Sequence, residues 1–160
     1  MTVLRLPRPD EPLVSVVLVT YGGWDITRQA LADLIANTGS SFETVIVDNP
    51  TEEDVAGRLR AETEGAEVVF NDTNVGFGPA ANRGVERARG DHVVFLNTDA
   101  LVRPGWLEPL VEAVASDLRA GAAVPRFVEE DGTVQEAGGL LFRDGSTHMY
   151  GSGADPTDPA

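Results

Sequence analysis

Four apolar runs, each followed by a segment of helical periodicity, constrain this chain more than any other feature. Val14-Ser15-Val16-Val17-Leu18-Val19 is nearly continuous and β-branched, the mark of a strand buried on both faces of a parallel sheet. Gly22-Gly23 ends it. Asp25 stands where an N-cap is expected, and Ile26, Ala30, Leu31, Leu34 and Ile35 then recur at helical spacing up to Gly39. The unit repeats: residues 43–47 form a second strand ending at Asp48-Asn49, and Thr51-Glu52-Glu53-Asp54 resembles a capping box for a helix through Val55 and Leu59. Residues 66–70 form a third strand, and the loop 71–78 leads into a helix with Pro79 in its first turn and Gly90 past its end. Residues 92–96 form a fourth strand, followed by Asn97-Thr98-Asp99. Residues 106–118 form a helix that tolerates Pro109 only near its start.

This alternation predicts an α/β domain with a mostly parallel sheet flanked by helices. Beyond Gly121 the texture changes. Residues 122–125 read as one more strand, and Asp131-Gly132 and Asp144-Gly145 as turns between short antiparallel pieces around Val134 and residues 140–142. The proline-rich residues 1–12 read as an irregular lead-in, residues 13–150 as one domain, and residues 151–160 as a flexible tail.

Composition removes whole classes of function. With 26 acids against 12 bases the net charge is −14, which argues against nucleic acid or an anionic membrane surface as the main partner. There is no cysteine, hence no disulfide, thiolate zinc site, iron–sulfur cluster or cysteine nucleophile. All 12 bases are arginine, so a Walker A loop and a Schiff-base lysine are both excluded. No run approaches the ~18 apolar residues of a transmembrane segment. The chain reads as soluble and unexported, with the cytoplasm or the inner face of its membrane as the expected location.

Ligands of open α/β sheets bind at the carboxyl ends of the strands. There the chain places Thr20, Tyr21, Gly22 and Gly23; Asp48 and Asn49; Asn71, Asp72, Asn74 and Gly76; and Asn97, Thr98 and Asp99. Each of these residue types also serves in ordinary turns. Together they make an oxygen-rich rim with one aromatic ring, suited to a base, a ribose and phosphates. Asp99, leaving an apolar strand, can hold a hard divalent cation together with substrate phosphates. Gly76-Phe77-Gly78-Pro79-Ala80-Ala81 matches the G-x-G-x-x-A dinucleotide fingerprint by letter. It follows the third strand rather than the first, however, and Pro79 lacks an amide where a pyrophosphate needs one, so the nicotinamide-cofactor reading is set aside.

The motifs VSVVLVTY (14–21), VIVDN (45–49), NVGFGPAANRG (74–84), FLNTDA (95–100) and PGWL (104–107) resemble, in order and spacing, those of the family 2 glycosyltransferases. The resemblance extends over about residues 14–151. Val134-Gln135-Glu136-Ala137-Gly138-Gly139 and Tyr150-Gly151 bring it nearest the bacterial rhamnosyltransferase-like branch. It implies a GT-A (Rossmann-like) fold and inverting transfer of a sugar from a UDP- or dTDP-sugar to a glycan or lipid-linked acceptor. By position, Thr20, Tyr21 and Asp48 would hold base and ribose, and Asn74, Gly76 and Asn82 would line the nucleotide-sugar wall. Asp99 would bind a divalent metal, Mg2+ or Mn2+, at the family's DxD position. Two residues depart from the family pattern: Asn97 replaces the first acid of DxD and is expected to hydrogen-bond ribose or sugar, and Gly22 replaces the usual asparagine. The general base is expected beyond Ala160, in an acceptor-binding half, with Asp131 and Asp144 read as turn residues. A second reading stays open, a non-catalytic nucleotide-binding module of a larger protein.

Overall fold

A computed structural model describes residues 2–129 and 131–154. It has the element order β1 (Leu4–Arg5), β2 (Val14–Thr20), α1 (Trp24–Asn37), β3 (Phe42–Asp48), α2 (Val55–Glu62), β4 (Thr63–Glu64), β5 (Glu67–Phe70), α3 (Phe77–Val85), β6 (His92–Phe95), α4 (Leu107–Ser116), β7 (Phe127–Val128), β8 (Val134–Glu136), β9 (Gly139–Leu141) and β10 (Thr147–Met149). The chain forms two compact units, one up to Leu107 and one from Glu108 onward.

The first unit is built on a four-stranded sheet of order β5-β3-β2-β6, with every pairing parallel. The strands of the two central positions, β2 and β3, have almost every side chain buried. That is why their sequences run apolar without alternation. The edge strands β5 and β6 are shorter and half open, with Val93, Phe95 and Phe70 exposed. Trp24, Ala30, Leu31 and Leu34 of α1, Val55 and Leu59 of α2, and Ala80 and Ala81 of α3 join Val16, Leu18, Val45 and Ile46 in the core. The helix α3 lies on β2 and β3. A Cβ at Gly84 would sit 2.4 Å from Val17 Cγ1, so only glycine permits this approach.

Several element ends differ from the sequence expectation. Helix α1 starts at Trp24 on a left-handed Gly23 (φ 66°), not at an Asp25 cap. Its cap comes from elsewhere: Glu53 accepts from Gly23 N (2.7 Å) and Trp24 N (3.1 Å). Consequently Ile26 is exposed and Thr27 is buried. The α2 cap is Asp54, which accepts from Gly57 N at 2.8 Å, whereas Thr51 serves the Glu53 amide. Helix α3 ends at Val85, well before Gly90, whose amide instead donates to Ser15 Oγ at 2.9 Å. Pro109 falls in the first turn of α4, as expected.

The lead-in carries β1, which pairs in parallel with β4. Arg89 ties the end of this segment to β3. It bonds Glu43 Oε2 through Nε (2.8 Å) and Nη2 (2.7 Å) and reaches the carbonyls of Pro9 and Asp10.

In the second unit, residues 122–125 form no strand. The pairing falls on Phe127–Val128 with β8, and β9 pairs antiparallel with β10. Both expected Asp-Gly turns lie at hairpin bends, where Asp131 Oδ1 accepts from Thr133 N and Asp144 Oδ1 from Ser146 N. Of the expected tail, Gly153 N donates to Val134 O and Val134 N to Ala154 O; residues 155–160 lie outside the described residues. The domain boundaries expected at residues 13 and 150 thus stand beside a division after Leu107. No helix among the described residues is long and apolar enough to cross a membrane.

Candidate functional site

The sheet order places the topological switch point between β2 and β6. Successive strands are added on one side as far as β5, and then the chain returns across to β6. In such sheets the crevice outside the carboxyl ends of the two switch-point strands is the ligand position. Thr20 closes β2 there, and Leu96 N, just past β6, bonds Val17 O at 3.0 Å, so Asn97-Thr98-Asp99 leaves the sheet beside it.

The centre of this edge is a buried pair. Thr20 Oγ1 donates to Asp48 Oδ1 at 2.6 Å, and the residues are 0% and 3% exposed. Burial pushes the Asp48 carboxyl above its ordinary value. The Thr20 hydrogen bond and the charge of Arg60 oppose that rise, and the charge of Asp54 adds to it. Arg60 itself lies over the Phe70 ring, 3.9 Å from its centroid, at the end of β5. Tyr21, next to the pair, is 64% exposed, and a ring presented to solvent in this way is available for stacking on a base.

The loop between β5 and α3 is held by side-chain amides. Asn49 Oδ1 accepts from Asn71 Nδ2 at 2.9 Å and from Val75 N at 3.2 Å. Arg83 Nη1 donates to Asn71 Oδ1. Asn74 Oδ1 accepts from Gly76 N at 2.8 Å, which sets the entry into α3, and Gly76 caps that helix at φ 83°. Asn74, Gly76 and Asn82 are all exposed, the first two on this loop and Asn82 in α3.

Asn97 and Asp99 are exposed as well, in a turn closed by Ala100 N to Asn97 O at 3.2 Å. The Asp99 carboxylate has no hydrogen bond or ion pair among the described residues, and those residues hold no group of three or more acids and histidines fit to cage a metal. One free carboxylate is a poor all-protein cage. It does fit a magnesium-type ion, which takes one or two carboxylates and completes its shell with water and substrate phosphates.

The expected residues thus fall into three groups. Thr20 and Asp48 are joined directly, and Asn74 and Gly76 are joined through a turn. Tyr21, Asn82 and the Asn97–Asp99 turn are presented from three separate segments, and their side chains do not bond to one another. Sequence reading missed Arg83 and Glu53. Neither carries a local signal, because each acts on a segment distant in sequence.

Fold and rim define an open parallel α/β domain of the GT-A type. The chain belongs to a particular family within that class: the family model described as Glycosyl transferase family 2 matches residues 15–154. An uncharacterized glycosyltransferase of Methanocaldococcus jannaschii is 26% identical over 132 residues, covering 78% of this chain and 46% of the relative. Human polypeptide N-acetylgalactosaminyltransferase 15 is 27% identical over 121 residues, covering 69% of this chain and 18% of its own. A solved structure, the mannosyltransferase PcManGT from Pyrobaculum calidifontis in complex with GDP-Man and Mn2+, superposes with a TM-score of 0.50 at 23% identity. It covers 59% of this chain and 30% of that one. The chain therefore spans less than half the length of these relatives.

Proposed function

We propose that this chain is the donor-binding part of an inverting glycosyltransferase, moving a sugar from a nucleoside diphosphate to a hydroxyl acceptor. The observation that carries this reading is the buried Thr20–Asp48 pair at the switch-point edge of the sheet, in a chain of family 2. A carboxylate held there by a donor from the neighbouring strand is oriented to accept from a base or ribose. Tyr21 supplies the stacking face. Asn74, Gly76 and Asn82 line the adjacent wall, and Asn97 hydrogen-bonds ribose or sugar.

Asp99 is the ligand for a divalent ion, Mg2+ or Mn2+. Such an ion, when bound, offsets charge on the departing diphosphate. The donor is a UDP- or dTDP-sugar and the acceptor a glycan or lipid-linked hydroxyl, with the rhamnosyltransferase-like branch as the assignment within the family. The proposed location is the cytoplasm, at the inner face of a membrane where the acceptor is lipid-linked.

Transfer also needs a base for the acceptor hydroxyl. Asp131 and Asp144 do not qualify. Both are exposed, and each is held below its ordinary value by the hydroxyl and amide of its own turn, Thr133 and Ser146 respectively. The second reading, a non-catalytic nucleotide-binding module of a larger protein, is favoured by the engagement of both carboxylates in their own turns.

Calorimetry with UDP, dTDP and GDP, with and without Mn2+, tests the proposal. Metal-dependent heat with at least one nucleotide is expected, and its absence with all three at millimolar concentration would sink the reading. Asp99→Asn should remove the metal-dependent part while leaving the fold intact, and Asn97→Ala should do less. The reverse order would mean that the ligand is misassigned.

A further inference from the structure

We infer that Arg83 is a positioning residue for the donor site, acting through Asn71 and Asn49 on the loop that carries Asn74 and Gly76. The inference rests on the donor-binding reading above.

Arg83 forms no ion pair among the described residues, although the chain has more than two acids for every base. Its guanidinium reaches back 12 residues and donates to Asn71 Oδ1. Asn71 is 8% exposed, its amide nitrogen donates to Asn49 Oδ1, and its backbone N donates to Asp48 O at 2.9 Å. Asn49 is 2% exposed. Its Oδ1 also takes Val75 N, and its backbone N donates to Thr20 O at 2.9 Å.

The three side chains thus form one line from α3 to the ends of β2 and β3, where the Thr20–Asp48 pair sits. Along this line a donor follows an acceptor at every step. Arg83 has only N–H donors, so it fixes Asn71 with its oxygen toward α3 and its NH2 toward Asn49. That orientation leaves Asn49 Oδ1 to accept and to hold the Val75 amide. Without Arg83, the Asn71 amide can turn over and the acceptor for Val75 is no longer determined. The loop then loses its register against the strand ends, and Asn74 and Gly76 lose theirs against a bound nucleotide. Arg83 needs no contact with ligand for this.

Amide hydrogen exchange at Val75 tests the clamp without any nucleotide, and calorimetry with UDP, dTDP and GDP in Mn2+ tests its consequence. Arg83→Ala should raise Val75 exchange about tenfold, the equivalent of one net hydrogen bond. It should weaken nucleotide binding by a similar factor while leaving amides in the middle of β2 and β3 as protected as before. Asn71→Asp keeps a partner for Arg83 but removes the donor to Asn49, and should free Val75 in the same way. Arg83→Lys, which retains a donor, should recover part of both effects. Unchanged Val75 exchange in Arg83→Ala, or a uniform rise across β2 and β3, overturns the inference and leaves the donor-site reading intact. A wild-type chain that binds none of the three nucleotides overturns the donor-site reading, and with it the effect on affinity.

Discussion

Asp48 and Glu43 sit at opposite ends of the same strand and show how burial can cut both ways. Burial raises the Asp48 carboxyl, and the one short bond from Thr20 does not fully compensate. Its charge therefore costs stability at neutral pH, a cost relieved as pH falls through its raised folded value. Asp48→Asn keeps the shape and an oxygen for Thr20, so we expect an unchanged or higher Tm together with weaker nucleotide binding, read by melting and calorimetry side by side. Glu43 is the converse. Burial would raise it, but Ser15 Oγ at 2.6 Å, the Arg89 amide and side chain, and the Arg89 charge together hold it below 4.5. A carboxyl with a lowered folded value contributes stability that is present above the unfolded value and is lost as pH falls through the folded one. Glu43→Gln should cost about 2 kcal/mol at neutral pH, less than the ~3–5 kcal/mol of a wholly buried pair because Arg89 stays half in solvent. The gap in Tm between the two proteins should close as the pH is taken below 4.5. A gap independent of pH would show that the pair contributes through packing alone.

At the scale of elements, the helices are placed by contacts that come from other segments. The first turn of α1 is capped from the β3–α2 loop by both oxygens of Glu53. This ties together two loops of the carboxyl edge and sets the backbone next to Tyr21. Glu53→Ala should lower stability by about 0.5–2 kcal/mol, as loss of a helix cap does, and Glu53→Asp should fail to restore it because its carboxylate is one methylene short. Equal stability of Glu53→Ala and wild type in urea melts would contradict the capping role. On the other side, α3 lies so close to the sheet that Gly84→Ala must displace Val17 or Val47. Overpacking of this kind costs about 1–3 kcal/mol, and the lost stability should appear in denaturant midpoints with an unchanged m-value.

For the whole molecule, the proposed diphosphate ligand has to be reconciled with a net charge of −14. The Asp99 carboxylate and a metal are the means by which such a surface can hold it, so nucleotide affinity should vanish in chelator and return with Mn2+. Binding that is indifferent to chelator would point instead to arginine contacts. Residues 1–160 incubated with nucleotide sugars and hydroxyl acceptors should bind the donor without transferring it, since the absence of a base typically costs ~10²–10⁴ in rate. Transfer at an ordinary enzymatic rate would place a base within these residues and make Asp131 and Asp144 the first positions to change.

The sequence by itself determined what depends on neighbours along the chain. The β-branched run of residues 14–19 had to be a doubly buried strand because nothing polar interrupts it except Ser15, whose hydroxyl is bonded in place. The Asp-Gly pairs had to turn, because aspartate bonds the residue two ahead of it. The strand ends could be read as a polar rim because an α/β alternation admits few arrangements. Tertiary structure decided the rest, through partners that no local pattern announces. Residues 122–125 are apolar enough for a strand, but a strand exists only with a partner, and the pairing fell on Phe127–Val128 instead. The start of α1 moved to Trp24 because its cap lies 30 residues away in Glu53. The Arg83–Asn71–Asn49 line spans bonds of 12 and 22 residues. Such bonds form only after β2, β3 and α3 have packed, because packing is what brings their donors and acceptors within reach.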